Sequence, residues 1–146
     1  MTSIIASNGK NVKPNIIKQN NDIEFEKLEK YQNAIQIIKR SMFKVVNESK
    51  GTAYNSRISS EYGIAYGKTG TAQVCGNCEI KPHGWFAGYL ELNNKKKFSI
   101  CVIIENGGKG SVLPTQIAKK IFDNRSNPKS LAACSKLETR PRESAS

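Results

Sequence analysis

Between Glu26 and Val46 the apolar residues Leu28, Tyr31, Ala34, Ile35, Ile38, Met42, Val45 and Val46 recur at spacings of three and four, while Lys27, Lys30, Lys39 and Lys44 fall mostly between them. That period predicts an amphipathic helix with one buried face. NESKGTAYNSR, residues 47–57, is polar, with Gly51 just past the helix where a left-handed cap is often required, and reads as a connection. Three strands are then predicted, over Ile64–Val74, Gly84–Leu92 and Phe98–Glu105. Asn93-Asn94-Lys95-Lys96 has the composition of a hairpin turn, so the last two strands should pair antiparallel. FSICVIIE is apolar at nearly every position, which predicts a strand covered on both faces and lying inside the sheet, with Cys101 buried in it. After the turn NGGKGS, the stretch VLPTQIAKKIFDN has Pro114 near a helix start and places Ile117, Ile121 and Phe122 on one face. Residues 1–24 mix Asn, Lys, Gly and Pro with two short apolar pairs and read as loop, and residues 124–146 are rich in Ser, Arg and Pro and read as a disordered tail.

The pattern is therefore that of an α+β unit over residues 1–123. At 146 residues, one core of ordinary size can be buried. Apolar residues are 38% of the chain and mean hydropathy is −0.51, low for a compact domain but compatible with one that has disordered patches. The net charge of +11 would suit a polyanion. The lysines are however scattered, with Lys95-Lys96-Lys97 the longest run and no aromatic residues interleaved for base stacking, so a solvated basic surface is expected and no nucleic-acid partner. No apolar run approaches the roughly 18 residues of a spanning helix, and no basic region followed by an apolar stretch succeeds Met1. As written, the chain carries no export signal or membrane segment, and its location by default is the cytoplasm.

Candidate chemistry concentrates in GIAYGKTGTAQVCGNC, residues 63–78. Residues two apart on a strand point the same way, so Thr69 and Thr71 present two hydroxyls to one face. Gly70 between them leaves room for a ligand backbone, and Lys68 adds a cation. The patch suits a carboxylate. Cys75-x-x-Cys78 is half of a zinc site, and the remaining candidates, Cys101, Cys134 and His83, fall on a buried strand, in the tail and at a strand start. A redox pair would open a helix, whereas this one follows a strand. No metal or other cofactor is expected, and Trp85, Phe86 and Tyr89 are read as core and sheet face.

The Lys-Thr-Gly triplet is one signature of serine β-lactamases and penicillin-binding proteins. More of the chain matches: KTGTAQ at 68–73, HGWFAGYLEL at 83–92, FSICVIIENGGKGS at 98–111 and PTQIAKKIFD at 114–123, with IASNGKNVKPNIIK and MFKVVNESKGTAYNSR upstream. Together, from about residue 4 to residue 123, these resemble the C-terminal part of the transpeptidase domain of class B penicillin-binding proteins of the elongation, cell-shape type. The resemblance implies a D,D-transpeptidase that cross-links peptidoglycan stem peptides through an acyl-serine, that β-lactams acylate, and that works at the inner membrane facing the periplasm. It also implies roles for the triplet and the residue after it: Lys68 orients the polar groups and supplies positive field, Thr69 and Thr71 hold the carboxylate of D-alanyl-D-alanine or penicillin, Gly70 leaves it room, and the Thr71 N–H contributes to an oxyanion hole. The implied fold is three antiparallel strands with flanking helices, a portion of the penicillin-binding and serine β-lactamase-like domain, with one sheet edge and part of one face unprotected.

Such chemistry needs a serine activated by an adjacent base, which this family places in S-x-x-K at the start of a helix. The pattern occurs at Ser7–Lys10, Ser41–Lys44 and Ser126–Lys129. The first contains Gly9 and is a poor helix start, the second falls inside a predicted helix, and the third lies in the tail. The companion Ser-x-Asn motif does not occur. The expectation is a chain that is not catalytic alone, whose missing half could come from a partner. A related β-lactamase-like or penicillin-sensing fragment and a non-enzymatic basic binding module are the alternatives. In an exported protein Cys75 and Cys78 could form a local disulfide beside the triplet strand, and in a cytosolic one they would be reduced.

Overall fold

In the computed structural model, residues 1–10, 28–58, 61–76 and 79–126 are described. Three strands, β1 (Gly63–Ala72), β2 (His83–Leu92) and β3 (Lys97–Ile104), form an antiparallel sheet in the order β1-β2-β3. Register pairs Thr69 with Phe86 and Gly67 with Gly88, and then Phe86 with Val102. The β2–β3 hairpin closes at the predicted turn, where Lys95 takes a positive φ of 69° and the Leu92 N–H donates to the Lys96 carbonyl at 2.9 Å. Helices α1 (Thr2–Ala6), α2 (Gln32–Asn47) and α3 (Leu113–Ser126) flank the sheet.

One sheet face carries the larger core. Ala65, Phe86, Leu90, Leu92 and Val102 pack there against Val46 of α2, Ala53 and Ile58 of the following segment, and Ala118 and Phe122 of α3. The Phe86 ring is central to it, lying edge-on to Phe122 with centroids 6.4 Å apart and covering the paired glycines Gly67 and Gly88. The opposite face holds a smaller cluster of Ile5 and Ala6 from α1, Met42 from α2 and Tyr89, with Tyr66 stacked on Tyr89 at 4.5 Å. Because α2 runs beside β1, it contributes Val46 to one face and Met42 to the other.

Several expectations required correction. The FSICVIIE strand is an edge strand, not an interior one: Ser99, Cys101 and Ile103 are exposed, Ile103 to 44%, and Val102 alone of the strand is buried. An unbroken apolar run says that a strand favours burial, but only the packing says which face is covered. Cys101 is accordingly exposed with a free thiol. On α3 the buried stripe is Pro114, Ala118 and Phe122; of the expected face Phe122 is buried, whereas Ile117 and Ile121 are 37% and 40% exposed. Small Ala118 lets the helix approach the sheet and large Phe122 fills the space beyond. The α2 stripe is narrower than predicted, being Ile35, Met42 and Val46, while Tyr31 and Ile38 are exposed.

Residues 2–6, read as loop, form a short helix, with the Lys97 ammonium donating to the Ala6 carbonyl at 2.7 Å beside Glu91. A helix of that length is marginal by itself and is held by burial of Ile5 and Ala6. Gly51 is not in the left-handed region. It is glycine because a Cβ there would lie 2.2 Å from the Val45 carbonyl oxygen, where the chain doubles back on the end of α2. Helix α3 runs to Ser126, beyond the predicted end of the unit, and residues 127–146 lie outside the described residues.

Candidate functional site

Lys68, Thr69, Gly70 and Thr71 lie near the end of β1, whose one edge pairs with β2 and whose other edge pairs with no strand among the described residues. In an antiparallel strand the N–H and C=O of a residue point to the same side. The Ala65 carbonyl accepts from the Asn47 amide at 2.9 Å and the Thr69 carbonyl accepts from the Lys68 ammonium, both on the side away from β2. The alternation therefore aims the Thr71 N–H outward from the same free edge.

Thr69 and Thr71 do share a face, and each hydroxyl is engaged by a neighbouring segment. Thr71 Oγ1 accepts from the Gly110 N–H at 3.2 Å. Thr69 Oγ1 lies 2.7 Å from Thr52 Oγ1. Gly110 is held close under the sheet end, since a Cβ on it would lie 2.0 Å from the Gly70 carbonyl oxygen. Its loop is tied to the start of β2, where the Gly108 N–H donates to the Pro82 carbonyl at 2.9 Å and the Asn106 N–H to His83 Nδ1 at 3.0 Å. His83 thus opens a strand and accepts a structural hydrogen bond. Sequence reading passed over Thr52 and Gly110. The Gly-Thr-Ala and Gly-Lys-Gly-Ser stretches were part of the resemblance, but nothing in their spacing says that they reach β1.

A groove of about 470 Å³ runs along the other face of the triplet. Lys68, Gly70, Trp85 and Ala87 form its floor, with Thr69 at the rim, and Ile5, Ile37, Ile38, Ser41, Met42 and Val45 form its helical walls. Gly70 fits against Trp85 here, a Cβ on it coming within 3.3 Å of the Trp85 Cβ. The wall is strongly apolar, and Ile37 is 64% exposed into it and its surroundings.

The S-x-x-K matches that can be described do not build a nucleophile. Ser41 lines the groove, but its hydroxyl donates to the Ile37 carbonyl at 3.0 Å from mid-helix, and Lys44 lies on another side of α2, beside Arg40 and Glu48. Ser7 follows the end of α1 and its hydroxyl faces the Ile4 and Lys10 carbonyls at 3.1 and 3.0 Å. Ser126 begins the third match, whose lysine is outside the described residues. Cys75 is disulfide-bonded, with its partner outside the described residues, as are Cys78 and Cys134. Among the described residues, no cluster of His, Cys, Asp and Glu could hold a metal ion, and no helix is long and apolar enough to cross a membrane.

A three-stranded antiparallel sheet with helices on both faces and a Lys-Thr-Gly-Thr segment on its free edge defines a class. Residues 1–123 match the family model described as the penicillin binding protein transpeptidase domain, and the chain belongs to that family. Among curated proteins it is similar to the peptidoglycan D,D-transpeptidase MrdA of Haemophilus influenzae, 31% identical over 147 positions that cover 84% of this chain and 22% of the relative. The MrdA of Salmonella typhimurium is 29% identical over 104 positions, 63% of this chain and 16% of the relative. The chain thus spans about a fifth of the length of the curated relatives it matches.

Proposed function

We propose that this chain supplies the carboxylate-binding wall of a peptidoglycan D,D-transpeptidase that β-lactams also acylate. The observation that carries this is the state of Thr71. Because a backbone N–H can only donate, the Gly110 N–H occupies an acceptor position of Thr71 Oγ1 and leaves its proton free for an anion beyond the strand edge. Lys68 supplies positive field at the same edge, Gly70 keeps the strand open towards the groove, Thr69 places a second hydroxyl, and the Thr71 N–H is an oxyanion donor. The free edge accommodates an extended stem peptide as an added strand.

Among the described residues no serine with an adjacent base stands at this edge, so the chain binds and orients the ligand, and the acyl-accepting serine comes from the remainder of the transpeptidase. The assembled enzyme acts at the periplasmic side of the inner membrane. Incubation with a fluorescent penicillin followed by denaturing electrophoresis tests this. The chain by itself is expected to stay dark, and mixing it with a transpeptidase segment bearing S-x-x-K and Ser-x-Asn should label that segment. A band on the chain alone, or no label in the mixture, would overturn the assignment.

A further inference from the structure

We infer that Thr52 is a positioning residue that turns the Thr69 hydroxyl proton towards the bound carboxylate. The inference rests on the carboxylate reading of the Lys68–Thr71 edge. Thr52 and Thr69 are 17 positions apart, yet their hydroxyl oxygens are 2.7 Å apart, and the contact is held on both sides by rigid backbone. Thr69 is 9% exposed within β1. Thr52 stands in a tight turn, in which the Gly51 N–H donates to the Glu48 carbonyl at 2.8 Å and the Ala53 N–H to the Val45 carbonyl at 3.0 Å. Ala53 is 1% exposed, and no side chain fits at position 51.

A hydroxyl has one proton, so this pair has two arrangements. If Thr69 donates to Thr52, only lone pairs face an anion at the strand edge, and they repel it. If Thr52 donates to Thr69, the Thr69 proton is available to the anion, and the chain of two hydrogen bonds is strengthened by polarisation. Thr71 is already in the second condition, because the Gly110 N–H can only donate to it. An arriving carboxylate therefore selects Thr52 → Thr69 → carboxylate, and meets two hydroxyl protons on one face. The Gly-Thr-Ala turn does for Thr69 what the Gly110 amide does for Thr71.

The test uses the full 146-residue chain and two probes, N-acetyl-D-alanyl-D-alanine and its C-terminal amide, with binding followed through the backbone amide resonances of Lys68–Ala72. The unaltered chain should bind the carboxylate form in preference to the amide. Thr52→Val should weaken the carboxylate form by about three- to tenfold, the size of one neutral hydroxyl–hydroxyl hydrogen bond whose donor polarises Thr69, and leave the weak binding of the amide unchanged. Thr52→Ser should stay within about twofold of the unaltered chain, because it keeps the hydroxyl and loses only a methyl. Thr52→Ala repeats the hydroxyl deletion without the valine methyl, and Trp85 fluorescence during urea unfolding reports whether each variant is folded. The role is refuted if folded Thr52→Val or Thr52→Ala binds like the unaltered chain, or if Thr52→Ser weakens as much as Thr52→Val. If the unaltered chain does not distinguish acid from amide, the carboxylate reading itself fails, and the role of Thr52 with it.

Discussion

A Cβ built on Gly67 would lie 2.3 and 2.4 Å from two atoms of the Phe86 ring, well inside any real contact distance. Phe86 is fully buried and bounded by Phe122, so its ring has nowhere to move. Gly67→Ala should therefore destabilise by about 1–3 kcal/mol through overpacking. Phe86→Leu removes the far end of the ring and by itself should cost about 1–3 kcal/mol, in lost transfer energy plus the cavity left behind. In that background the clash is gone, and alanine at position 67 should be neutral or stabilise by about 0.4–1 kcal/mol by restricting the unfolded chain. The two changes should thus couple by roughly 1–4 kcal/mol, against about 0.5–3 kcal/mol for typical residues in contact. Urea unfolding of the four proteins, read by the fluorescence of the single tryptophan, Trp85, measures this directly. Additivity to within about 0.5 kcal/mol would refute the claim that Gly67 is glycine to admit the Phe86 ring.

Two further predictions concern titration and thiol chemistry. Burial raises the pKa of Tyr66 and of Tyr89, with the neighbouring Glu91 carboxylate adding to both and Tyr66 to Tyr89. A phenol whose folded pKa is raised contributes stability that is fully present below its unfolded pKa of about 10 and is lost as pH rises beyond it. Ultraviolet titration should show two of the five tyrosines ionising late, together with a fall in stability above pH ~10. Phenolate absorbance that develops in a single step near pH ~10 without unfolding would contradict the burial of this stack. Alkylation of the folded chain followed by peptide mapping should modify Cys101 without denaturant and Cys75 only after reduction; modification of Cys75 in the unreduced chain would rule out its disulfide.

What could be read from the residues alone was local or periodic. The α2 period, the 93–96 turn and the three strands rest on side-chain alternation and turn composition; the strands appear within two residues of their expected ends and α2 ends one residue past Val46, but it begins at Gln32, six residues after the expected Glu26. The Lys68–Thr71 segment was legible for the same reason, because residues two apart on a strand must share a face. Burial of particular faces was not. FSICVIIE became an edge strand with Cys101 and Ile103 exposed, and on α3 Pro114 and Ala118 joined the expected Phe122 in the buried stripe in place of Ile117 and Ile121, because coverage depends on which neighbours arrive and how closely they pack. The same holds at the site. Alternation along a strand is enough to put Thr69 and Thr71 on one face with Gly70 between them and Lys68 beside them. That Gly110, 39 positions away, donates to Thr71, and that Thr52 meets Thr69 at 2.7 Å, follows from the fold alone. A hydrogen bond is selected by distance and direction in space, and neither is encoded in the spacing of residues along the chain.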